Sequence, residues 1–228
     1  MATVFPACEP TTLAVVDCEC RFPVHRIYCV GRNYADHARE MGADPSREAP
    51  FFFTKPADAV VGTNQTINYP PKTMDLHHEV EMVVAIERGG KNISVESALT
   101  HVFGYAVGLD LTRRDLQTEA KAKARPWCVA KAFDHSALIG PITEHHDCGH
   151  PGSAAIELKV NGEPRQRGDI NQMIWSTAEI ISHLSSYFEL APGDLIFTGT
   201  PAGVGALQPG DKLHATIEGL APFDGTIV

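Results

Sequence analysis

Two acidic residues inside an otherwise apolar segment are the first sign of chemistry in this sequence. Residues 76–86 read LHHEVEMVVAI, and they contain Glu79 and Glu81. Residues two apart on a strand share a face, so the sequence predicts one strand with both carboxylates side by side. At a separation of roughly 4 Å and an effective dielectric constant near 20, such carboxylates repel by about 4 kcal/mol. They therefore need a proton or a cation beside them.

A third carboxylate ends another apolar segment. Asp110 is the last residue of VFGYAVGLD, 29 residues after Glu81. Three carboxylates with room for water suit a hard cation such as Mg²⁺ or Mn²⁺ better than Zn²⁺ or copper. The same spacing also fits two glutamates that face solvent on an edge strand. The spacing alone leaves both interpretations open.

A short helix is predicted over residues 34–41, with Asn33 as its N-cap and Gly42 as its C-terminal stop. His37 and Glu40 are three residues apart and so lie on one face. A helix of about eight residues is marginal by itself. The segment is either a lid that orders over a ligand or an exposed helix with an incidental ion pair.

A second polar helix is predicted over residues 113–124, opened by a capping box of Thr112 and Asp115. It has almost no apolar stripe, so its polar face contacts a ligand, an ion or solvent. That face carries Arg114, Gln117 and Lys121.

Two further segments could line a binding site. Residues 127–133 alternate as in a strand, which places Lys131 on a face with aromatic residues, where it either reaches solvent or is functional. Residues 199–205 read GTPAGVG, which matches neither a P-loop nor a dinucleotide-binding motif. Its glycines permit close approach of the backbone to a small ligand, and Thr200 offers a hydroxyl.

The remaining pattern predicts the scaffold. Residues 1–22 form a short leading hairpin or arm, and Asn161-Gly162 is a hairpin turn. Ser176 and Glu179 cap an amphipathic helix with Ile180, Ile181, Leu184 and Phe188 toward the core. Sixteen prolines and nineteen glycines indicate many turns and a β-rich architecture.

Length and charge limit the function. The chain has 228 residues, 43% of them hydrophobic, which is enough for one domain with a full core. A net charge of −9 argues against nucleic acid and anionic membranes as partners. Neither a membrane span nor a signal pattern is evident, so a cytoplasmic location is expected.

The cysteine and histidine clusters carry weaker signals. Without a signal peptide, the six cysteines are expected to be reduced thiols. Cys18-Glu19-Cys20 near His25 could hold a metal, but this is the minor alternative. Residues 145–150 (HHDCGH) could bind a soft metal, although a solvated loop is favoured.

Six motifs in order resemble the fumarylacetoacetate hydrolase family, in particular its single-domain acylpyruvase branch, which includes fumarylpyruvate hydrolases. They are GRNYADHAREMG, FFFTKP, LHHEVEMVVAI, GYAVGLDLTRRDLQ, PWCVAKAFD and LIFTGTPAGVG. The resemblance covers residues 24–228 as a catalytic domain and leaves residues 1–23 as a short leader. It implies an α+β fold, a β-rich mixed-sheet roll with a few short helices, and a homodimer.

The resemblance also implies roles. Matched motif by motif, the metal ligands are Glu79, Glu81 and Asp110, for Mg²⁺ with Mn²⁺ or Ca²⁺ as substitutes. The catalytic residues are His37, Glu40 and Lys131. The substrate-binding residues are Arg32, Arg114, Gln117 and Thr200. Arg32, Lys55, Arg114 and Lys131 would make the cleft positive within an acidic molecule.

The implied activity is metal-dependent hydrolysis of the C–C bond of acylpyruvates in aromatic compound catabolism, through a metal-bound pyruvate enolate. Fumarylpyruvate, which gives fumarate and pyruvate, is the favoured substrate. The same site would serve an oxaloacetate decarboxylase or tautomerase, or a hydroxy-diene-dioate isomerase. More remote alternatives are a non-catalytic metal-binding protein and a non-haem iron oxygenase using His77 or His78; adjacent histidines face opposite sides of a strand, which argues against the latter.

Overall fold

The computed structural model describes residues 3–6, 9–41 and 48–228, and all that follows concerns this part of the chain. Its strands are β1 (Thr12–Val15), β2 (Cys18–Pro23), β3 (Ile27–Gly31), β4 (Phe51–Lys55), β5 (Val60–Val61), β6 (Gln65–Ile67), β7 (Leu76–His78), β8 (Val80–Ile86), β9 (Val102–Asp110), β10 (Thr112–Arg113), β11 (Ala137–Ile139), β12 (Thr143–Glu144), β13 (Ala155–Val160), β14 (Glu163–Asp169), β15 (Leu195–Phe197), β16 (Gly205–Ala206), β17 (Lys212–Ile217) and β18 (Phe223–Ile227). Its α-helices are α1 (Ala35–Glu40), α2 (Val95–Ala98), α3 (Arg114–Ala122), α4 (Cys128–Lys131), α5 (His145–Cys148) and α6 (Thr177–Tyr187). Short 3₁₀ turns lie at Ala57–Ala59, Leu99–His101 and Ile170–Gln172.

The central sheet explains why two segments of the sequence are apolar almost throughout. Its strand order is β4-β3-β15-β8-β9-β11-β5, with β12 also paired to β9. The β3–β15 and β11–β5 pairs are parallel, and the other pairs are antiparallel. One face of β8 packs Val80, Met82 and Val84 into the main core, and the other packs Val83 and Ala85 into a second core. A sheet covered on both faces selects apolar side chains on both.

The main core is closed by a second sheet and by α6. That sheet has the order β14-β13-β17-β18-β6, and β13 and β14 form the hairpin predicted at Asn161-Gly162. The capping box of Ser176 and Glu179 is present, and Ile180, Ile181 and Leu184 are buried as predicted. Phe188 is 40% exposed, because the helix ends one residue before it. This mixed, curled sheet with few short helices confirms the predicted fold.

The acidic segment is two strands rather than the one predicted. β7 pairs with β10 and β16 in a separate three-stranded sheet, whereas β8 lies in the central sheet. The chain changes sheets at Glu79, between the two strands. The prediction was wrong because pairing partners far along the chain, which the pattern does not contain, decide where a strand breaks.

Three local predictions also fail. Asn33 does not cap α1; its buried amide instead donates to the carbonyls of Trp175 and Thr198. The predicted capping box on α3 is absent, since Thr112 lies in β10 and the Asp115 carboxylate accepts from Thr73. The segment around Lys131 is the helix α4, not a strand. Gly42 lies outside the described residues.

The N-terminal residues form the predicted hairpin, β1 with β2. Its side chains Leu13 and Phe22 belong to the second core, so the hairpin packs on the central sheet. Cys18 and Cys20 form a disulfide, so the expectation of reduced thiols was wrong for this pair, while Cys29, Cys128 and Cys148 are free. None of the described helices is long and apolar enough to span a membrane. The boundary at residue 23, the cytoplasmic location and the homodimer stay predictions.

Candidate active site

The register of two central strands brings the three carboxylates together. β8 and β9 are antiparallel, with Val80 opposite Leu109, and the Asp110 N–H donates to the Glu79 carbonyl at 2.9 Å. The break at Glu79 leaves its carboxylate on the same side as that of Glu81. One oxygen from each of the three carboxylates lies within 4.8 Å of the others, and all three residues are buried. The predicted acidic cluster therefore exists, and it is not on a solvated edge strand.

Three buried cations surround this cluster. Lys131 Nζ donates to Glu79 Oε2 and Asp110 Oδ2, both at 2.7 Å, and Arg114 Nη2 donates to Glu79 Oε1. Lys55 Nζ lies 2.7 Å from Asp110 Oδ1, where it makes an ion pair without hydrogen-bond geometry. The cations are distributed unequally among the three carboxylates, since both Lys131 and Arg114 contact Glu79. Among the described residues, Glu81 accepts a hydrogen bond only from the backbone N–H of Gly199, at 2.6 Å.

The two glutamates differ in pKa for this reason. Burial would raise the pKa of Glu79, but Lys131 and Arg114 beside it hold that pKa well below its usual range. Burial raises the pKa of Glu81 well above its usual range, and the negative charges of Asp110 and Glu79 raise it further. Burial disfavours the Lys131 ammonium, yet Asp110 and Glu79 raise its pKa above the ordinary value. The site thus contains one carboxylate, Glu81, that lacks a cation.

The donor set fits a divalent ion. Glu81 has no described side-chain cation, and the buried Asp110 Oδ1 has no hydrogen-bond partner among the described residues. The Glu81 carboxylate and Asp110 Oδ1 both belong to a set of carboxylate oxygens, which are the ligands that hard cations prefer. Because Lys55, Lys131 and Arg114 already balance the three acids, an added divalent ion would leave the site positive. The cavity is therefore suited to an anionic ligand although the whole molecule is acidic.

His37 and Glu40 face this cluster from α1. The two side chains meet at 3.3 Å, between His37 Nδ1 and Glu40 Oε2, and the Gly203 N–H donates to both Glu40 oxygens at 3.1 and 3.2 Å. Burial lowers the pKa of His37, against the opposing effects of Glu79 and Glu40. Since Glu40 accepts at Nδ1, the neutral ring carries its proton there and keeps Nε2 free to accept another.

The walls of the cavity come from α3 and from the segment after β15. Arg114, Gln117 and Lys121 all line it, as the predicted helix face requires. Gln117 Oε1 accepts from Arg114 Nη1 at 2.6 Å, which leaves the Gln117 amide hydrogens for a ligand. Thr200 Oγ1 accepts from Gln166 Nε2 at 2.8 Å, which leaves its own O–H to donate.

Arg32 lines the mouth of the same cavity, over Phe51, with its Cζ 5.5 Å from the ring centroid. Its backbone has φ +58°, a conformation uncommon for a residue other than glycine and frequent at functional sites. All ten residues predicted for the site are therefore adjacent to the cavity or line it; Glu40 alone acts from behind His37 and does not line it.

The sequence missed a residue that holds this cavity together. Gln166 is 1% exposed, and its Oε1 accepts from Val80 N–H at 3.0 Å and contacts His78 Nδ1 at 2.9 Å. Its Nε2 donates to Thr200 Oγ1 and to the Pro201 carbonyl. One amide therefore joins β14 to the acidic segment and to the segment after β15. Its neighbours in β14 are also polar or charged, so the sequence gives no sign that Gln166 differs from them. Only the structure shows that it occupies the buried position of this strand.

The close contact of Asn33 with Gly199 positions a further part of the site, and the sequence did not indicate this contact. Asn33 is fully buried, and its Oδ1 accepts from the Trp175 N–H at 2.7 Å. Gly199 has φ +97°, and a Cβ added to it would lie 2.6 Å from Asn33 Cβ. Glycine is therefore needed at 199 for its backbone conformation and for space, and the result is an N–H aimed at Glu81.

The other histidines do not join the acidic cluster. His77 contacts Asp75 at 2.9 Å and His78 contacts Gln166, so the two point to different partners, which agrees with the argument against an iron site. Residues 145–148 are a helical turn rather than a loop, and His145 stacks on His150 with ring centroids 5.4 Å apart. In the described part of the chain, the three carboxylates are the group whose ligand atoms converge.

A curled mixed sheet that carries a buried carboxylate triad, a lysine and a histidine–glutamate pair is the arrangement expected of a metal-dependent enzyme. Residues 26–228 match the model of the C-terminal domain of fumarylacetoacetate hydrolase. The chain belongs to the fumarylacetoacetate hydrolase family, which confirms the resemblance drawn from its motifs.

Individual relatives differ in activity. The crystal structure of fumarylpyruvate hydrolase from Pseudomonas aeruginosa, in complex with Mn²⁺ and pyruvate, is 53% identical; the match covers 100% of this chain and 99% of that one, with a TM-score of 0.98. Fumarylpyruvate hydrolase of a Ralstonia species is 42% identical over 81% of this chain and 95% of its own length. The mitochondrial oxaloacetate tautomerase of Rattus norvegicus is also 42% identical, over 85% of this chain and 87% of its own.

Proposed function

We propose that this protein hydrolyses the C–C bond of acylpyruvates, with fumarylpyruvate as the favoured substrate and fumarate and pyruvate as products. The observation that carries the proposal is the position of the neutral, Glu40-oriented His37 in the same cavity as the three carboxylates and Lys131. The 53% identity to the fumarylpyruvate hydrolase of Pseudomonas aeruginosa supports the substrate.

The residues divide the work by position. Glu79, Glu81 and Asp110 would hold a divalent ion, proposed to be Mg²⁺, and such an ion supplies Lewis-acid polarisation of a keto acid. Gln117 and Thr200 have free donors for the substrate carboxylate and carbonyl oxygens. Arg114 is already bonded to Glu79 and Gln117, so it orients them, and its charge adds to the positive potential.

His37 is placed to activate water. Its Nε2 takes a proton from a water whose oxygen bonds to the distal acyl carbon. The bond between that carbon and the methylene breaks, and its electron pair remains on the pyruvate fragment as an enolate. The Lys131 ammonium lies at the carboxylates and can stabilise the enolate oxygen. His37 returns its proton to the methylene carbon, which gives pyruvate.

The test is a substrate panel with and without Mg²⁺: fumarylpyruvate, acetylpyruvate and oxaloacetate, with pyruvate and the acid product quantified. We expect Mg²⁺-dependent release of equal amounts of fumarate and pyruvate, and loss of that activity in His37→Ala. Cleavage of neither acylpyruvate would contradict the proposal.

Oxaloacetate tautomerisation is the second candidate. The relative from Rattus norvegicus favours it, and so does the site, because moving a proton at the carbon beside a keto group needs the same enolate and the same histidine. It requires no hydrolytic water. Enol-to-keto conversion of oxaloacetate without cleavage of any acylpyruvate would select it, whereas carbon dioxide release would select decarboxylation.

A further inference from the structure

A pair of cations stands on a pair of aromatic rings at the outer part of the cavity. Lys121 Nζ lies 5.2 Å from the centroid of the Trp127 ring, and Arg32 lies over Phe51. The two rings meet edge to face with centroids 5.6 Å apart. All four residues line the same cavity as the carboxylates. We call these four residues the basic-aromatic wall.

The wall is separated from the three carboxylates by most of the length of α3. Arg114, which contacts Glu79, and Lys121 are seven residues apart on one helical face, which is roughly 10 Å along the axis. A seven-carbon dicarboxylic acid has this length scale. A substrate whose keto-acid end lies at the carboxylates would therefore extend its other end toward Lys121.

The two cations of the wall differ from the others in the cavity in having no acidic partner among the described residues. Lys121 Nζ and the Arg32 guanidinium each contact an aromatic ring, and neither makes an ion pair or a hydrogen bond with a carboxylate in the described part of the chain. Lys123, just past the end of the same helix, differs, since its Nζ donates to Glu119 Oε1 at 2.6 Å. Half-burial lowers the pKa of Lys121 to about 8, and the nearby Arg114 and Arg32 add repulsion. A bound anion would relieve that repulsion.

We propose that Lys121, together with Arg32, binds a second carboxylate at the distal end of the substrate and so selects dicarboxylic over monocarboxylic acylpyruvates. The inference rests on the proposed function for its substrate, but it assigns a residue that the hydrolytic step does not need. The rings complete the subsite, because Trp127 and Phe51 offer apolar surface beside the two cations for a flat unsaturated acyl chain.

The kinetic test compares fumarylpyruvate with acetylpyruvate, which lacks the distal carboxylate. Lys121→Met keeps an apolar stem against Trp127 and removes the charge. We expect kcat/KM for fumarylpyruvate to fall by about tenfold or more, mainly through KM, with acetylpyruvate changed by less than about twofold. Lys121→Arg should restore most of the loss. Lys123→Met, on the same helix but paired to Glu119 outside the cavity, is the matched control and should change neither substrate.

An equal effect of Lys121→Met on both substrates, or no effect on either, would overturn the proposal. So would an equal effect of Lys123→Met, because it would make the loss a long-range charge effect. Circular dichroism and thermal unfolding establish that each variant is folded; if Lys121→Met is not, Lys121→Gln takes its place.

A binding experiment tests this inference independently of the proposed reaction. Fumarate and crotonate have the same carbon skeleton and differ in whether one end is a carboxylate or a methyl group. By calorimetry with the Mg²⁺-loaded protein, the wild type should bind fumarate about tenfold more tightly than crotonate, and Lys121→Met should remove most of that preference. If the wild type cleaves no acylpyruvate but keeps this preference, the proposed function fails and the subsite stands. If the preference is absent, the subsite fails.

Discussion

The floor and the lid of the cavity are built in opposite ways. The floor, which we define as Glu79, Glu81, Asp110 and Lys131, lies on β8, β9, α4 and the break before β8, and each residue is 5% exposed or less. The lid, which is α1 with His37 and Glu40, is a helix of six residues without a side-chain N-cap. The Glu40 side chain is 34% exposed, and its anchor to the rest of the protein is the Gly203 N–H.

Under the proposed function, this difference gives the two regions different tasks. Carboxylates in low-dielectric surroundings need neighbours fixed by long-range packing, and the antiparallel pairing of β8 with β9 supplies them. A general base must let substrate in and water out, and a short, weakly anchored helix can do so. Changes to the floor should therefore alter ion binding and stability, whereas changes to the lid should alter turnover alone.

The largest effect is expected from Glu81→Gln. Removing one of three ligand charges should weaken Mn²⁺ binding by at least about a hundredfold and abolish turnover. The metal-free variant should unfold at a higher temperature than the metal-free wild type, because burial and the neighbouring acids raise the pKa of Glu81 and glutamine avoids the cost of burying that carboxyl group at neutral pH. Calorimetry and thermal unfolding with and without Mn²⁺ measure both.

The exposed Glu96→Gln is the control for that variant and should resemble the wild type. Mn²⁺ affinity unchanged in Glu81→Gln would show that the floor is not the ion site.

His37→Ala should lower kcat by about 10²–10⁴-fold, the usual contribution of a general base. Because His37 is not one of the three carboxylates that would hold the ion, Mn²⁺ affinity should stay within about twofold. Rapid-quench or continuous pyruvate assays give kcat, and calorimetry gives the affinity. The exposed pair of His214 with Asp224 offers a control, His214→Ala, with no expected change. Loss of ion binding in His37→Ala would end the separation between floor and lid.

The dependence of kcat/KM on pH should report the protonation of His37 in the lid. His37 acts when neutral, and its lowered pKa means that kcat/KM rises with pH through a value below 6.5 and is nearly full at pH 7. Glu40 raises that pKa, so Glu40→Gln should move the acid limb to lower pH while reducing the rate by about tenfold. A limb that moves to higher pH, or an unchanged one, would refute the orientation of His37 by Glu40.

The smallest effect is expected from Gln166→Leu, which touches neither region's reacting groups. Val80 N–H and Thr200 would lose their partner, so unfolding should become easier by about 1–3 kcal/mol. Turnover should fall about tenfold as Thr200 loses its position. The exposed Gln208→Leu serves as the comparison. An unchanged free energy of unfolding in Gln166→Leu would mean that the hydrogen bonds of this amide do not stabilise the fold.

The sequence predicted the contents of the site better than its construction. Carboxylates in apolar segments and the His37–Glu40 spacing are local signals, and the structure brings those residues together. The break at Glu79 and the helix at Lys131 are decided by pairing and packing with residues far along the chain, which local periodicity does not report. Gln166 was missed and Asn33 was given the wrong role for the same reason, since every hydrogen-bond partner of their amides lies at least 34 residues away.

The four contacts of Gln166 also make it a natural spectroscopic probe. Its two amide hydrogens are held by Thr200 Oγ1 and the Pro201 carbonyl in a buried place, so they should exchange slowly with solvent and give a resolved nuclear magnetic resonance pair. Any substrate that draws the segment after β15 toward itself must lengthen those bonds. The chemical shifts of one side chain would then report ligand binding in the cavity from a residue that never meets the ligand.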